Sequence, residues 1–67
     1  MAIQDLSKIE SQVLQGLCDG KTLSAISEEM EVSIHTVNLI LKSAKKTVGA
    51  KSIFDAVRIY RLHKSKG

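Results

Sequence analysis

The residues best suited to chemistry lie between positions 35 and 46, where polar and basic side chains recur at helical spacing. On a helix, that spacing places them on one face. The amide of Asn38 can pair with adenine in the major groove of DNA, and Lys42, one turn later, can reach guanine or a phosphate. The full face comprises His35, Asn38, Leu39, Lys42 and Lys46, with Lys45 at its edge. This chemistry is recognition of a nucleic acid.

The charge of the chain is divided between its two halves. Residues 1–33 carry two lysines and six carboxylates, whereas residues 34–67 carry eight lysines and arginines and one carboxylate. The formal net charge of +3 therefore hides a strongly basic second half. Each cation that neutralises a phosphate releases counterions, which predicts an affinity for DNA that does not depend on sequence. We expect this contribution from Lys42, Lys45, Lys46 and Lys51.

Composition and motifs exclude several other classes of protein. With 67 residues and one cysteine, the chain predicts a single domain over residues 1–67, with no disulfide framework or CxxC metal site. His35 and His63 have no ligand-like partners, and the sequence holds no catalytic triad and no phosphate-cradling glycine loop. We therefore expect no enzyme activity, cofactor or metal. No apolar run reaches the roughly 18 residues that span a membrane, so we expect a cytoplasmic protein.

Two helices are predicted before the turn that precedes this face. Ser7 and Glu10 form a capping box at the start of the first helix, which ends near Gly20. Thr22 is the expected cap of a short second helix. We also expect Val32, in the turn at residues 31–33, to fill the core. The residues predicted to face inward from the two helices are Ile9, Val13, Leu14, Leu17, Cys18, Leu23, Ile26 and Met30.

Two more helices follow the turn. Ser33 caps the third, which ends at Gly49, and Ser52 opens the fourth with a second box-like cap. The domain core is expected over about residues 6–62, with a frayed tail at 63–67. The predicted inward residues of these helices are Val37, Leu41, Ala44 and Val48, then Ile53, Ala56, Val57 and Tyr60. A short helix, a tight turn and a helix with one apolar and one basic side are typical of a helix-turn-helix.

Three segments carry a resemblance to a known family. They are L-S-K-I-E-S-Q-V-L, G-K-T-L-S-A-I-S-E-E-M-E-V-S-I-H-T-V-N and V-G-A-K-S-I-F-D-A-V, between Leu6 and Val57. Over about Leu6 to Tyr60 the chain resembles the LuxR-type, or GerE-like, DNA-binding domain. The resemblance implies an all-α domain of four helices, in which the third reads the major groove and the fourth forms a homodimer contact. It also implies a bacterial, sequence-specific transcriptional regulator that binds double-stranded DNA.

The resemblance assigns roles to individual positions. Base reading falls on Asn38, Leu39 and Lys42, next to His35, and backbone contacts fall on Thr22, Thr36, Lys46 and Lys51, next to Lys45. The predicted dimer contact comprises Phe54, Val57, Tyr60 and Arg61, although periodicity does not decide which of these face the core. The chain departs from the family pattern at Gln12, Glu31, Asn38, Ile40 and Ile53, the last of which replaces a usual arginine. Leu39 with Ile40 would make the reading face apolar, suited to thymine methyl groups or to a protein.

Several alternatives stay open from the sequence. Family members usually carry this domain behind a receiver or sensor domain, which does not fit in 67 residues. The chain is either an excised effector domain or a complete small regulator, and the initial Met favours the second. A different function is a protein-interaction module, such as an anti-activator that binds a full-length LuxR-type regulator. A region of a sigma-like factor is a third reading, against which the capped fourth helix argues.

Overall fold

Four helices make up the part of the chain that the structure describes. This computed structural model describes the backbone of residues 5–66 and the side chains of residues 5–64. The helices are α1 (Lys8–Cys18), α2 (Leu23–Met30), α3 (Ile34–Val48) and α4 (Ile53–Lys66), and no strand occurs within the described range. The all-α, four-helix prediction is confirmed. The last helix, α4, continues to Lys66, through most of the tail predicted to be frayed, and Gly67 lies outside the described range.

Side-chain caps explain where the helices begin. At α1, Ser7 Oγ accepts from the Glu10 amide at 3.2 Å, and the Glu10 carboxylate accepts from the Ser7 amide at 2.8 Å. This reciprocal pair satisfies two amides that the first turn of a helix leaves without partners. Both halves of the predicted capping box are therefore present.

The other three helices use the predicted caps as well. Thr22 and Ser33 accept from the third amide of α2 and of α3, at 3.1 and 3.2 Å. Ser52 accepts from the Asp55 amide at 3.1 Å, but the Asp55 carboxylate accepts from the amide of Lys51 instead of that of Ser52. The box at α4 is therefore displaced by one residue from the form that the sequence predicts.

The turn between α2 and α3 depends on one residue in an unusual conformation. Glu31 has φ 58° and ψ 42°, and it is the one residue other than glycine with a positive φ in the described range. Its amide donates to the Glu28 carbonyl, and the Val32 amide donates to the Ser27 carbonyl. These bonds close the end of α2, after which Ser33 starts α3 in a new direction.

The core lies where α1, α2 and α4 pack against α3. Its buried apolar residues are Val13, Leu14, Ile26, Val37, Leu41, Ala44, Ala56 and Tyr60. The predicted inward stripe of α3 is thus confirmed for its first three members, whereas Val48 is half-buried. None of the four described helices combines the length and hydropathy needed to cross a bilayer.

Three predictions about apolar residues, in α1, in the turn after α2 and in α3, are wrong. Ile9 is 51% exposed, because Glu10 takes the inward position in the first turn of α1. Val32 is 37% exposed, and it lies in the turn between α2 and α3, outside both helices. Ile40 packs partly against the core, since it lies only about 60° around α3 from buried Val37. The outward side of α3 is therefore less apolar than the sequence suggested.

The left-handed conformation of Glu31 yields a prediction about stability. A side chain disfavours this conformation by roughly 1–2 kcal/mol, and glycine avoids the penalty at some loss of chain entropy. Glu31→Gly should therefore raise the free energy of unfolding by about 0.5–1 kcal/mol, measured by urea denaturation. Glu31→Ala is the matched control, because it removes the same carboxylate and keeps Cβ. Equal stability of the two variants would contradict the prediction.

Candidate nucleic-acid interface

The outward side of α3 is opposite its buried stripe, so packing determines which side chains it presents. His35, Asn38, Leu39 and Lys42 are exposed, and Leu39 is 52% exposed. Together with Lys45 and Ile53 they line one shallow groove of about 370 Å³. The four residues predicted to read bases are thus brought together on one surface, here called the α3 groove.

Ile53 is the member of the α3 groove that the sequence reasoning missed. It is the first residue of α4 and is 39% exposed. Helical periodicity placed it inward with Ala56, yet it borders the outward side of a different helix. A signal was present in the sequence, because Ile53 departs from the arginine that the family pattern has at this position.

The residues predicted to contact the DNA backbone lie on α3 and in the connections just before α2 and α4. Thr22 is exposed and caps α2, and Lys46 is exposed on the outward side of α3. Thr36 is half-buried, with its hydroxyl 3.1 Å from that of Ser33 at the start of α3. Lys51 is exposed just before α4, and Lys45 is half-buried at the edge of the α3 groove. Of these residues, only Lys45 lines the α3 groove itself.

The cations of α3 have no carboxylate partner within the described part of the chain. The ion pairs there join Lys21 to Glu29 at 2.7 Å and Arg58 to Asp55 at 2.6 Å. The first raises the pKa of Lys21, chiefly through the hydrogen bond that its ammonium donates to the Glu29 carboxylate. The second, helped by the Lys51 amide, lowers the pKa of Asp55. The positive charge of α3 is therefore left available to an external anion.

Glu10 links the N-terminal end of α1 to the last turn of α3. The Thr47 hydroxyl shares its proton between the Ser43 carbonyl at 2.9 Å and Glu10 Oε2 at 3.3 Å. Burial by itself raises the pKa of Glu10, but the hydrogen bonds from the Ser7 amide and the Thr47 hydroxyl, together with the nearby hydroxyls of Ser43 and Ser7, outweigh it, so the pKa is lowered. The ionised carboxylate thus both caps α1 and holds α3 in place.

The outer face of α4 carries a second groove. Phe54 is 87% exposed, which is unusual for an aromatic side chain. This groove of about 380 Å³, here called the α4 groove, is lined by Leu17, Ile53, Phe54, Val57, Arg58 and Arg61. Three of the four residues predicted for the dimer contact therefore share one surface.

Tyr60, the fourth residue predicted for the dimer contact, is only 9% exposed and belongs to the core of the protomer. Its hydroxyl donates to Gln15 Oε1 at 3.2 Å, and burial raises its pKa. The residue that the sequence assigned to an interface thus packs against α1, because its side of α4 faces inward with Ala56. Cys18 nearby is half-buried, and burial raises the pKa of its thiol.

The described residues contain no group of three or more His, Cys, Asp or Glu side chains arranged to hold a metal ion. Their arrangement is instead that of a helix-turn-helix domain, a class of DNA-binding domain in which the second helix of the pair presents its outward side to the groove. The family model of bacterial regulatory proteins of the luxR family, GerE, matches residues 4–60.

That match covers most of the chain, which therefore belongs to the luxR family of bacterial regulatory proteins. The family is one of DNA-binding regulatory domains and not of enzymes. No curated protein and no solved structure matches the chain significantly.

The contacts of Glu10 yield a prediction about pH. Because its pKa is lowered on folding, the carboxylate stabilises the fold above its unfolded value of 4.5, and this contribution is lost as the pH falls through the folded value. Glu10→Gln should lower the free energy of unfolding by about 1 kcal/mol at neutral pH, and the difference from wild type should shrink below about pH 4.5. Urea denaturation at several pH values measures both effects.

Glu28→Gln is the control for this experiment, because Glu28 is exposed on α2. It should leave the stability within about 0.5 kcal/mol of wild type. A Glu10→Gln difference that stays constant across the whole pH range would contradict the role assigned to the carboxylate.

Proposed function

We propose that the protein is a sequence-specific transcriptional regulator that inserts α3 into the major groove of DNA. One observation carries the proposal. Four side chains able to contact base edges, His35, Asn38, Leu39 and Lys42, line one groove on a helix whose opposite side is buried. A helix of 15 residues is about 22 Å long, enough to cross a groove about 12 Å wide.

Each of these side chains has a distinct role in the proposal. Asn38 offers a donor and an acceptor to adenine, and Lys42 donates to guanine O6 and N7. His35, near the start of α3, lies where recognition helices make most base contacts. Leu39 supplies an aliphatic surface that can contact the methyl group of thymine. This mixture of groups favours discrimination among bases over attraction to charge alone.

The phosphate contacts are proposed for the residues around this groove. Lys45, Lys46 and Lys51 neutralise phosphates, and Thr36 donates from its hydroxyl. Thr22 stands at the N-terminal end of α2, where unpaired amides and the helix dipole favour an anion. Such contacts orient the domain on the duplex and do not distinguish sequences.

The two classes of contact predict different mutant behaviour on a duplex obtained by selection from random oligonucleotides. Asn38→Ala and Lys42→Ala should weaken binding to the selected site by about 5- to 150-fold, and binding to random DNA much less. Lys46→Ala should weaken both by a similar factor and reduce the salt slope by about one. Fluorescence anisotropy at several salt concentrations measures all three.

Lys8→Ala is the control for these variants, because Lys8 is exposed at the start of α1 and lines neither groove. Its affinity and salt slope should match those of wild type. Equal losses on selected and random DNA for all three test variants would count against sequence-specific reading.

We also propose that the α4 groove is the homodimer contact. An exposed aromatic residue beside Leu17 and Val57 is the kind of apolar patch that protein interfaces use. A two-fold axis through this surface would bring the same residues of both protomers together, with Arg61 at the rim. The dimer would then read a palindromic site with two copies of α3.

Phe54 and Ile9 form a matched pair for testing the dimer. Each is the exposed second residue of its helix, after a serine cap. Phe54→Glu should give a monomer in sedimentation equilibrium at high micromolar concentration, because it buries charge in the proposed interface. Ile9→Glu should remain a dimer. A wild-type protein that stays monomeric, with and without DNA, would remove the homodimer proposal and leave a full-length family member as the candidate partner.

A further inference from the structure

Two aliphatic side chains from different helices border the same basic groove. Leu39 belongs to α3 and Ile53 to α4, and they are 52% and 39% exposed. Both line the α3 groove, together with Asn38 and the cations Lys42 and Lys45. Because the two side chains come together on one basic surface, they offer an aliphatic contact to an apolar group of a ligand.

The major groove offers one apolar group on its base edges, the methyl on C5 of thymine. A 5-methylcytosine carries the same methyl on the same carbon. The lysines beside the aliphatic pair complement the phosphates that flank any such base, which favours DNA over an apolar protein surface as the occupant.

The placement of Ile53 is held by the start of α4. Ser52 caps the helix through the Asp55 amide, and the Asp55 carboxylate binds both the Lys51 amide and the Arg58 guanidinium. These bonds on both sides of Ile53 set the backbone from which its side chain extends. A pre-set aliphatic group loses little entropy when it meets a methyl group.

We propose that Leu39 and Ile53 together form a contact for a 5-methylpyrimidine in the major groove, so that α4 contributes to the reading of sequence. This inference rests on the proposed function, because it names a base feature that the same surface would recognise. It adds a residue outside the helix-turn-helix to the determinants of specificity.

The test uses the duplex selected for wild-type protein, with each thymine in turn replaced by uracil, which removes only the methyl. At the contacted position the replacement should weaken binding by about fourfold, which corresponds to about 0.8 kcal/mol for one buried methyl group. In Leu39→Ala and in Ile53→Ala, the thymine and uracil duplexes should bind almost equally. The ratio within each variant cancels any general loss of affinity.

Ile9→Ala is the matched control, because Ile9 is an exposed aliphatic residue on α1 that does not line the groove. It should keep the wild-type ratio. A second pair of duplexes distinguishes thymine from 5-methylcytosine as the base that supplies the methyl group. At the position where uracil replacement weakens binding, one duplex carries cytosine and the other carries 5-methylcytosine. If the methylated duplex binds more tightly than the cytosine duplex, the contact accepts 5-methylcytosine as well as thymine. If only the replacement of thymine by uracil changes the affinity, the contact is specific for thymine.

Failure of the inference differs from failure of the proposed function. If no site can be selected from random DNA, specific reading itself is wrong. If a site is selected but no methyl matters, the inference is overturned and the function stands. A methyl effect that Leu39→Ala abolishes and Ile53→Ala leaves intact also overturns it, because α4 then plays no part. Circular dichroism melting confirms that each variant is folded.

Discussion

The burial of one side of α3 is the constraint on which the rest of the structure depends. Val37, Leu41 and Ala44 are at most 2% exposed, beneath α1, α2 and α4. A helix buried along one stripe cannot rotate about its axis without exposing that stripe to water. The rotation of α3, and with it the set of side chains that can meet a ligand, is therefore decided by hydrophobic packing, and the polar side chains occupy the side that remains.

Each end of α3 is fixed by a different kind of interaction. Glu31 keeps a left-handed conformation that disfavours a side chain by roughly 1–2 kcal/mol. Full burial of a single leucine or valine contributes about 1.5–3 kcal/mol, so the core of α3 outweighs this penalty. At the other end, Thr47 reaches the carboxylate of Glu10, which α1 has already ordered by capping. The direction of α3 thus results from a turn with one left-handed residue before its start and from a polar contact at its end.

Local signals made much of this structure predictable from the sequence. Each cap is a contact between residues three apart, so Ser7, Thr22, Ser33 and Ser52 could be identified without knowledge of the fold. The face of α3 was predictable for the same reason, because one helix repeats every 3.6 residues. Contacts between helices could not be predicted in this way. Periodicity places Tyr60 inward, but its hydrogen bond to Gln15, 45 positions away, depends on how α4 crosses α1, which no periodicity encodes.

Ile53 shows why the two surfaces of this protein should be considered together. It borders the α3 groove and the α4 groove at once, so one side chain separates a surface suited to bases from a surface suited to a second protomer. A side chain in close packing adopts few rotamers, and a partner packed against Phe54 and Val57 would therefore restrict Ile53 on the side that faces α3. Base contacts of about 1–3 kcal/mol each add up within one protomer, and a second copy in the proposed dimer would double their number. Dimer packing that also restricts Ile53 would therefore double the number of base contacts and order one of the contacting side chains. Both effects would follow from direct contact, without any movement of α3.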